Sequence, residues 1–476
     1  MGAIKLGTLS SKVVSATGLF GGVEAASLLC SVVRTKLVAL WIEASGVGLF
    51  GIYNSALDML GALTQMGIGQ SAVQTVASVS GEEQWLRVAV VRRIGLLLAM
   101  LGMAVMILLS PLLSQISFAD GSHILSFCAL SVALCCNTLT TSEKGVMQGC
   151  GKINLIARST LYAVSISLVL SVPTVYYLRI ESVIPVVAIY SIVSLICVKI
   201  FSRRGVGEVR VKLSTKEALK SGRQMVSLGL CLTMSLFVGW LANYILLAYF
   251  NTTFGSEVTG TFQAGYTVAV RYAGILLVAA GMEYFPRISG LGRERYKRMA
   301  VYMWHQCRVV VTMTAVASAL LAALASVAVD VLYSSDFKDA SLMVMFGAPA
   351  LVLRGFSWCV AYTMPARGDG VCFMMCETLS SVVSVIALVG GYVLGGFVGV
   401  GIGLVVWYLI YTAVVMAVAK IRYKMGRGGA EIALTAVAVG FVEVVSLISY
   451  YFGLWASLAV AVLIPVAFLT VRRTCR

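Results

Sequence analysis

Residues 203–224 read RRGVGEVRVKLSTKEALKSGRQ, the longest polar connection in a chain of 476 residues. On both sides the sequence is almost continuously apolar. Runs at 13–33, 46–70, 94–114, 123–142, 159–178 and 182–201 precede it. Runs at 225–250, 258–283, 309–333, 340–364, 371–394 and 397–419 follow, and 430–451 and 454–471 close the chain. Each is close to the ~20 residues that cross a hydrocarbon core as a helix. Hydrophobic residues make up 59% and charged residues 12%, whereas soluble domains carry about 25% charged residues. The reading is an all-α polytopic membrane protein of about fourteen transmembrane helices, with no sizeable soluble domain.

The net charge of +16 would point to nucleic acid in a soluble protein. Here the cations sit at helix ends. Of the 36 Lys and Arg residues, all but Arg34, Lys36, Arg179, Lys338, Arg271 and Arg354 fall in the N-terminus, the even-numbered connections and the C-terminus. By the positive-inside rule these segments are cytoplasmic, which puts both termini inside and requires an even number of spans. A multi-pass membrane location follows, with lipids as partners and no nucleic acid. The basic stretch is expected to lie on the cytoplasmic surface, where anionic headgroups attract it. The first run carries Glu24 and reads as a retained helix, not a cleaved signal. The twelve cysteines show no C-x-x-C spacing and read as packing residues.

Six spans on each side of the connection call for a repeat. At an offset of 209, residues 37–41 face 246–250 and Gly46 faces Gly255; three inserted residues later, Gly48 and Phe50 face Gly260 and Phe262. Gly151 faces Gly368 at an offset of 217, each in a short turn before a new helix. Because six is even, the halves enter with the same orientation and form a parallel pseudo-twofold repeat, in which substrate sites lie between halves. The expected division is an N-terminal six-helix lobe (1–201), a cytoplasmic linker (202–224), a C-terminal six-helix lobe (225–419) and an appended helix pair with a cytoplasmic tail (420–476).

Charges inside a bilayer cost about 2.5 to 3.5 kcal/mol each at mid-depth, so they should face water or a partner. Thr17, Gly21, Glu24, Ser27, Ser31 and Arg34 recur on one face of the first span, and Asn54, Asp58, Gly61, Gln65 and Gly69 on one face of the second. Arg271, Arg354 and Glu377 lie in spans eight, ten and eleven. Counted from the surfaces, Glu24, Asp58, Arg271 and Arg354 come near the midplane and are expected around one aqueous cavity between lobes. The competing reading pairs Glu24 or Asp58 with Arg271 or Arg354 as a structural bridge. His123 and His305 fall at opposite surfaces, so a histidine-based catalytic pair is excluded. The run Gly149 to Ile153 lacks the first glycine and the hydroxyl residue of a P-loop. No enzyme activity, cofactor or metal is expected.

Arg34 to Ala39, followed by Gly46 to Ser55, resembles the opening motif of bacterial O-antigen flippases. These form the polysaccharide transporter branch of the superfamily that also holds the MATE drug exporters and lipid II flippases. Met147-Gln148-Gly149-x-Gly151-Lys152 is similar to that family's cytoplasmic turn. The resemblance implies a V-shaped, two-lobed, alternating-access fold and transfer of an undecaprenyl-pyrophosphate-linked oligosaccharide to the outer leaflet. On that footing Arg34, Arg271, Arg354, Asn54 and Gln65 would bind substrate, since guanidinium forks fit phosphate oxygens. Glu24, Asp58 and Glu377 would couple movement to protons or sodium. Glycan polymerase and chain-assembly proteins would be partners. Thr233 and Asn243 stand at the repeat positions of Glu24 and Arg34, so charge is asymmetric between lobes. A cation-coupled multidrug antiporter is the alternative within transport; a membrane-embedded glycan polymerase or ligase predicts long external loops that the sequence does not have.

Overall fold

The computed structural model describes the backbone of residues 6–79, 81–207, 215–290, 296–425 and 428–462, with most side chains from Cys30 onward. It is helical nearly throughout, with no strand among the described residues. The chain forms two compact units, Met1–Ser256 and Glu257–Arg476. The first contains α1 (Leu6–Gln65), α2 (Ile68–Ala77), α3 (Glu82–Phe118), α4 (Ile124–Gly149), α5 (Ile153–Leu178), α6 (Val183–Gly205) and α7 (Thr215–Phe254). Then come α8 (Ser256–Tyr266), α9 (Ile275–Gly290), α10 (Tyr296–Ala323), α11 (Ala325–Leu332), α12 (Lys338–Gly347), α13 (Pro349–Ala361), α14 (Thr363–Ala366), α15 (Gly370–Ile421) and α16 (Gly429–Phe452). The tail beyond residue 462 and linker residues 208–214 lie outside the described residues.

The longest helices are two spans each. At 1.5 Å per residue, the 60 residues of α1 would reach about 90 Å, three times a hydrocarbon core. Glu43 breaks the run with φ 61° and ψ −165°. The 52 residues of α15 break likewise at Gly395 and Gly396, the latter with φ 58° and ψ −141°. Between α5 and α6 the break is Arg179, with φ 50° and ψ −125°. Large apolar side chains face outward, among them Leu394 at 89% exposure and Trp455 at 82%, as lipid contact requires.

The break at Glu43 corrects one boundary. The hydropathy reading ended the first span at residue 33 and left Arg34 and Lys36 outside. The helix continues, so Arg34 lies nine residues before the break, about 13 Å along the axis. By the same ruler Glu24 is about 28 Å from Glu43. Its side chain lies outside the described residues. Polar residues such as Ser31, Arg34 and Lys36 hid the continuation from a hydropathy scan.

The repeat is carried by backbone turns. Gly151 and Gly368 have φ of +70° and +75°. In the first turn Gly151 N–H donates to the Gln148 carbonyl at 3.0 Å and Lys152 N–H to the Met147 carbonyl at 2.8 Å. In the second, Gly368 donates to Pro365 at 2.9 Å and Asp369 to Met364 at 3.0 Å. Both are Schellman closures, and every atom pair corresponds at an offset of 217. Arg179 and Gly396, with nearly the same dihedrals, stand at that offset too.

Helix α7 packs within the first unit. Its Tyr244 hydroxyl bonds Ser117 Oγ at 2.8 Å, and Asn251 donates to the Ser117 carbonyl at 2.7 Å. The packing boundary at Ser256 therefore lies one helix beyond the basic connection. In the second unit the α12–α13 pair bends by 47° at Pro349. Proline has no N–H for the Met345 carbonyl, so Ser446 of α16 donates to it at 2.8 Å. Ser318 similarly donates to the Ala348 carbonyl. Helix α16, which has no counterpart in the repeat, thus satisfies a polar group that the bend exposes.

Candidate functional site

The second-span stripe of the first unit is partly assembled as the spacing implies. Asp58, Gly61, Gln65 and Gly69 line a cavity of about 400 Å³ together with Asn137, Thr141, Thr233 and Trp240. Four helices contribute: α1, α2, α4 and α7. The turn at Met66 and Gly67, with φ of 45° and 62°, ends α1 just beyond Gln65 and lets Gln70 reach the same space. Asn54 is not among these residues. Its amide donates to the Phe50 carbonyl of its own helix at 2.7 Å. Asn137, Thr141 and Trp240 escaped the sequence reading, although the run Asn137 to Ser142 is dense in hydroxyls and amides for a span.

Arg34 lies elsewhere in the same unit. It faces a separate cavity of about 280 Å³, with its guanidinium carbon 5.1 Å from the Tyr190 ring centre and 5.9 Å from that of Phe50. Lys144 of α4 lines the same space.

In the second unit the remaining charged residues gather around a turn of π-helix, Thr267–Tyr272. One extra residue per turn re-aims backbone carbonyls, and such turns concentrate at functional sites. Arg354 Nη1 donates to the Val270 carbonyl at 2.7 Å, a carbonyl that also accepts from Gly274 N–H at 3.1 Å. Gly274 is required by that approach, because a Cβ there would come within 3.0 Å of Arg354 Nη1. The guanidinium carbon lies 5.9 Å from the Tyr408 ring centre. Both Arg271 and Arg354 act electrostatically on the half-buried Tyr266, and Arg354 on the Glu377 carboxyl. Arg271 is exposed on the π turn. Glu377 accepts from the Tyr411 hydroxyl, and Trp407 Nε1 donates to Ser380 Oγ at 2.9 Å. The structure therefore gathers Arg271, Arg354 and Glu377 in one neighbourhood, with two cations, a carboxyl and three tyrosines close together.

Two further ionic groups at the basic helix ends were not anticipated. Arg92 Nε lies 3.0 Å from Glu143 Oε1, and Ser202 Oγ donates to Glu143 Oε2 at 2.8 Å. Asp369 accepts from Arg422 Nε and the Tyr423 hydroxyl, both at 2.8 Å, and from Cys372 N–H at 3.3 Å. These bonds hold the Asp369 carboxyl below the usual carboxylate range, the tyrosine bond most strongly. Among the described residues, no group of three His, Cys, Asp or Glu side chains could hold a metal.

A polytopic helical bundle with a six-span repeat and ionisable side chains held inside its spans defines a class of membrane protein, and sequence comparison narrows it. The chain belongs to the polysaccharide biosynthesis protein family, whose profile matches residues 21–291. No curated protein matches it individually. Its fold is shared with solved structures at low identity. An inward-facing multidrug resistance MATE family transporter of the MOP superfamily superposes with a TM-score of 0.66 at 15% identity, covering 86% of this chain and 96% of its own. The lipid II flippase MurJ, in an inward closed conformation, gives 0.65 at 13% identity, covering 96% of this chain and 100% of its own.

Proposed function

We propose that this protein is a flippase that carries a polyprenyl-pyrophosphate-linked oligosaccharide, an O-antigen unit or similar surface glycan, across the bacterial inner membrane by alternating access. Both termini are then cytoplasmic, and the protein acts beside glycan polymerases without being an enzyme itself. Family membership supports the glycan pathway. The observation that carries the substrate class is Arg354, a guanidinium inside a span, oriented by the Val270 carbonyl at 2.7 Å and by the Tyr408 ring. An oriented guanidinium fork matches the paired oxygens of a pyrophosphate. A cavity lined by Asp58, Gln65, Asn137 and Trp240 offers amides, a carboxylate and an aromatic face, the groups that bind sugar hydroxyls and ring faces. Glu24, Asp58 and Glu377 would exchange a proton or sodium during the cycle.

The test is loss of surface glycan at matched membrane expression. Arg354→Ala should abolish it, and Arg354→Lys should restore it only partly. If Arg354 merely neutralises Glu377, Arg354→Ala with Glu377→Gln should recover the glycan, and that recovery would overturn the assignment. Export of cationic drugs lost in parallel with intact surface glycan would favour the multidrug antiporter.

A further inference from the structure

A groove on the exposed face of the α5–α6 pair lies apart from the residues assigned to transport. Its volume is about 560 Å³, within the roughly 300–1,000 Å³ typical of ligand sites. On α5, Arg158, Tyr162 and Ile166 stand four residues apart; on the antiparallel α6, Cys197, Phe201 and Arg204 stand four and three apart. Each set is one helix stripe. The Tyr162 and Phe201 rings stack at 5.7 Å with 23° between their planes, which fixes the register of the two stripes. One turn from that pair toward the basic helix ends come Arg158 and Arg204, and one turn the other way come Ile166 and Cys197. The groove is therefore cationic at its mouth, aromatic below and apolar beneath.

Depth and exposure match a lipid. Arg158 directly precedes the apolar run 159–178 and Arg204 follows the run 182–201, so both guanidiniums stand at headgroup level and the rings stand against hydrocarbon. Arg158, Tyr162, Ile166 and Arg204 are all exposed, and the described lining contains no carboxylate.

The repeat shows that contact with lipid tails does not call for this pattern. At the 217 offset Arg158, Tyr162, Phe201 and Arg204 become Met375, Leu379, Val418 and Ile421. Met375 is 66% exposed and Ile421 77%, so the corresponding face of the second unit is a plain apolar wall. Two guanidiniums at one groove mouth repel each other. A phosphodiester between them converts that repulsion into two charge-assisted contacts, and the acyl chain attached to it covers the rings below.

We propose that the α5–α6 groove of the first unit is a specific site for an anionic phospholipid, its phosphate held between Arg158 and Arg204 and an acyl chain laid against Tyr162 and Phe201. The occupant is a lipid of the surrounding bilayer and not the transported glycolipid. The site goes beyond the transport reading, and its test reads retained lipid and not surface glycan.

The full-length protein, purified in detergent and titrated with single lipids, is read by native mass spectrometry, which resolves each bound lipid by mass. Phosphatidylglycerol should fill its first site at least about tenfold more tightly than phosphatidylcholine, whose phosphate carries its own compensating cation. Arg158→Gln and Arg204→Gln should each weaken phosphatidylglycerol about fivefold, and the double variant about 25-fold, with little change for phosphatidylcholine. Arg158→Lys with Arg204→Lys keeps both charges, covers the case in which the neutral variants fail to insert, and should give a smaller loss. Lys420→Gln removes a cation beside Ile421, outside the groove, and should change the affinity by less than about twofold, since screening confines each charge to its own surroundings. Equal retention of the two phospholipids, an affinity unchanged across all the arginine variants, or an equal loss in Lys420→Gln would each overturn the site. Selective retention of a polyprenyl phosphate, with phosphatidylglycerol held no more tightly than phosphatidylcholine, would overturn the phospholipid assignment and give the groove to the carrier lipid.

Discussion

Replacing Glu143 by Ala probes the ionic group that ties α3, α4 and α6 together in the first unit. The pair is enclosed: the side chains of Arg92 and Glu143 are 23% and 12% exposed. Arg92 donates to Glu143 through Nε and through Nη2 at 3.2 Å, and to Ser202 Oγ at 3.0 Å; Ser202 donates onward to the carboxylate. Removing one member of such a buried pair costs about 3 to 5 kcal/mol, because the other charge is left without its counterion. Residual exposure of Arg92 lets water relieve part of that, so about 3 kcal/mol is expected. For a unit of this size, about 2–4 °C per kcal/mol converts this to a fall in melting temperature of roughly 6–12 °C. Arg92→Met with Glu143→Leu should return to within about 1 kcal/mol of the parent, since no charge remains buried. The assay is intrinsic-fluorescence melting of purified protein in a complete double-mutant cycle. Additive effects, with coupling below about 0.5 kcal/mol, would refute the enclosed-pair account.

Two other outcomes follow from the second unit. Ser446→Ala should destabilise by about 1 kcal/mol by leaving the Met345 carbonyl only the long 3.4 Å bond from Ala348 N–H, and most of that loss should vanish in a Pro349→Ala background, where residue 349 regains its N–H; an equal loss in both backgrounds, measured by melting, refutes the bend-satisfaction argument. The depressed Asp369 carboxyl contributes stability that is present above the ordinary carboxylate value of about 3.9 and is lost as pH falls through the folded value; Tyr423→Phe should flatten the melting curve's dependence on pH between 5 and 3, and an unchanged slope counts against the bond.

Fourteen apolar runs, their grouping by six, and the paired turns at Gly151 and Gly368 were legible in the sequence because each has a local cause: a 20-residue apolar length, a basic connection, a glycine at positive φ. Hydropathy alone placed the end of the first span early, since a polar helix face inside a protein reads like a loop. Arg271, Arg354 and Glu377 were legible as charges out of place in spans, but not as neighbours. Their meeting depends on the π turn at Thr267–Tyr272 and the bend at Pro349, and neither has a periodicity that a span scan detects. Lys144 and Arg92 were lost among cations assigned to loops by the positive-inside rule. That rule sorts residues by membrane side and is blind to a side chain that reaches back into the bundle.

Repetition of backbone with divergence of interior is the physical logic of this chain. A Schellman closure fixes the conformation of a turn through main-chain bonds, so Gly151 and Gly368 keep the same geometry although their neighbours are Lys152 in one unit and Asp369 in the other. Arg179 and Gly396 hold the same break with different side chains, arginine accepting a positive φ that glycine adopts without cost. Interior positions are under no such constraint, and there the units part. Where the first has Thr160 and Tyr190 near Arg34 and Lys144, the second has Glu377 and Trp407. Opposite charge preferences at one architectural position mean that the two units cannot offer a ligand the same contacts. Each unit's site therefore has to be assigned from its own residues, and a role found for Glu377 does not transfer to Thr160.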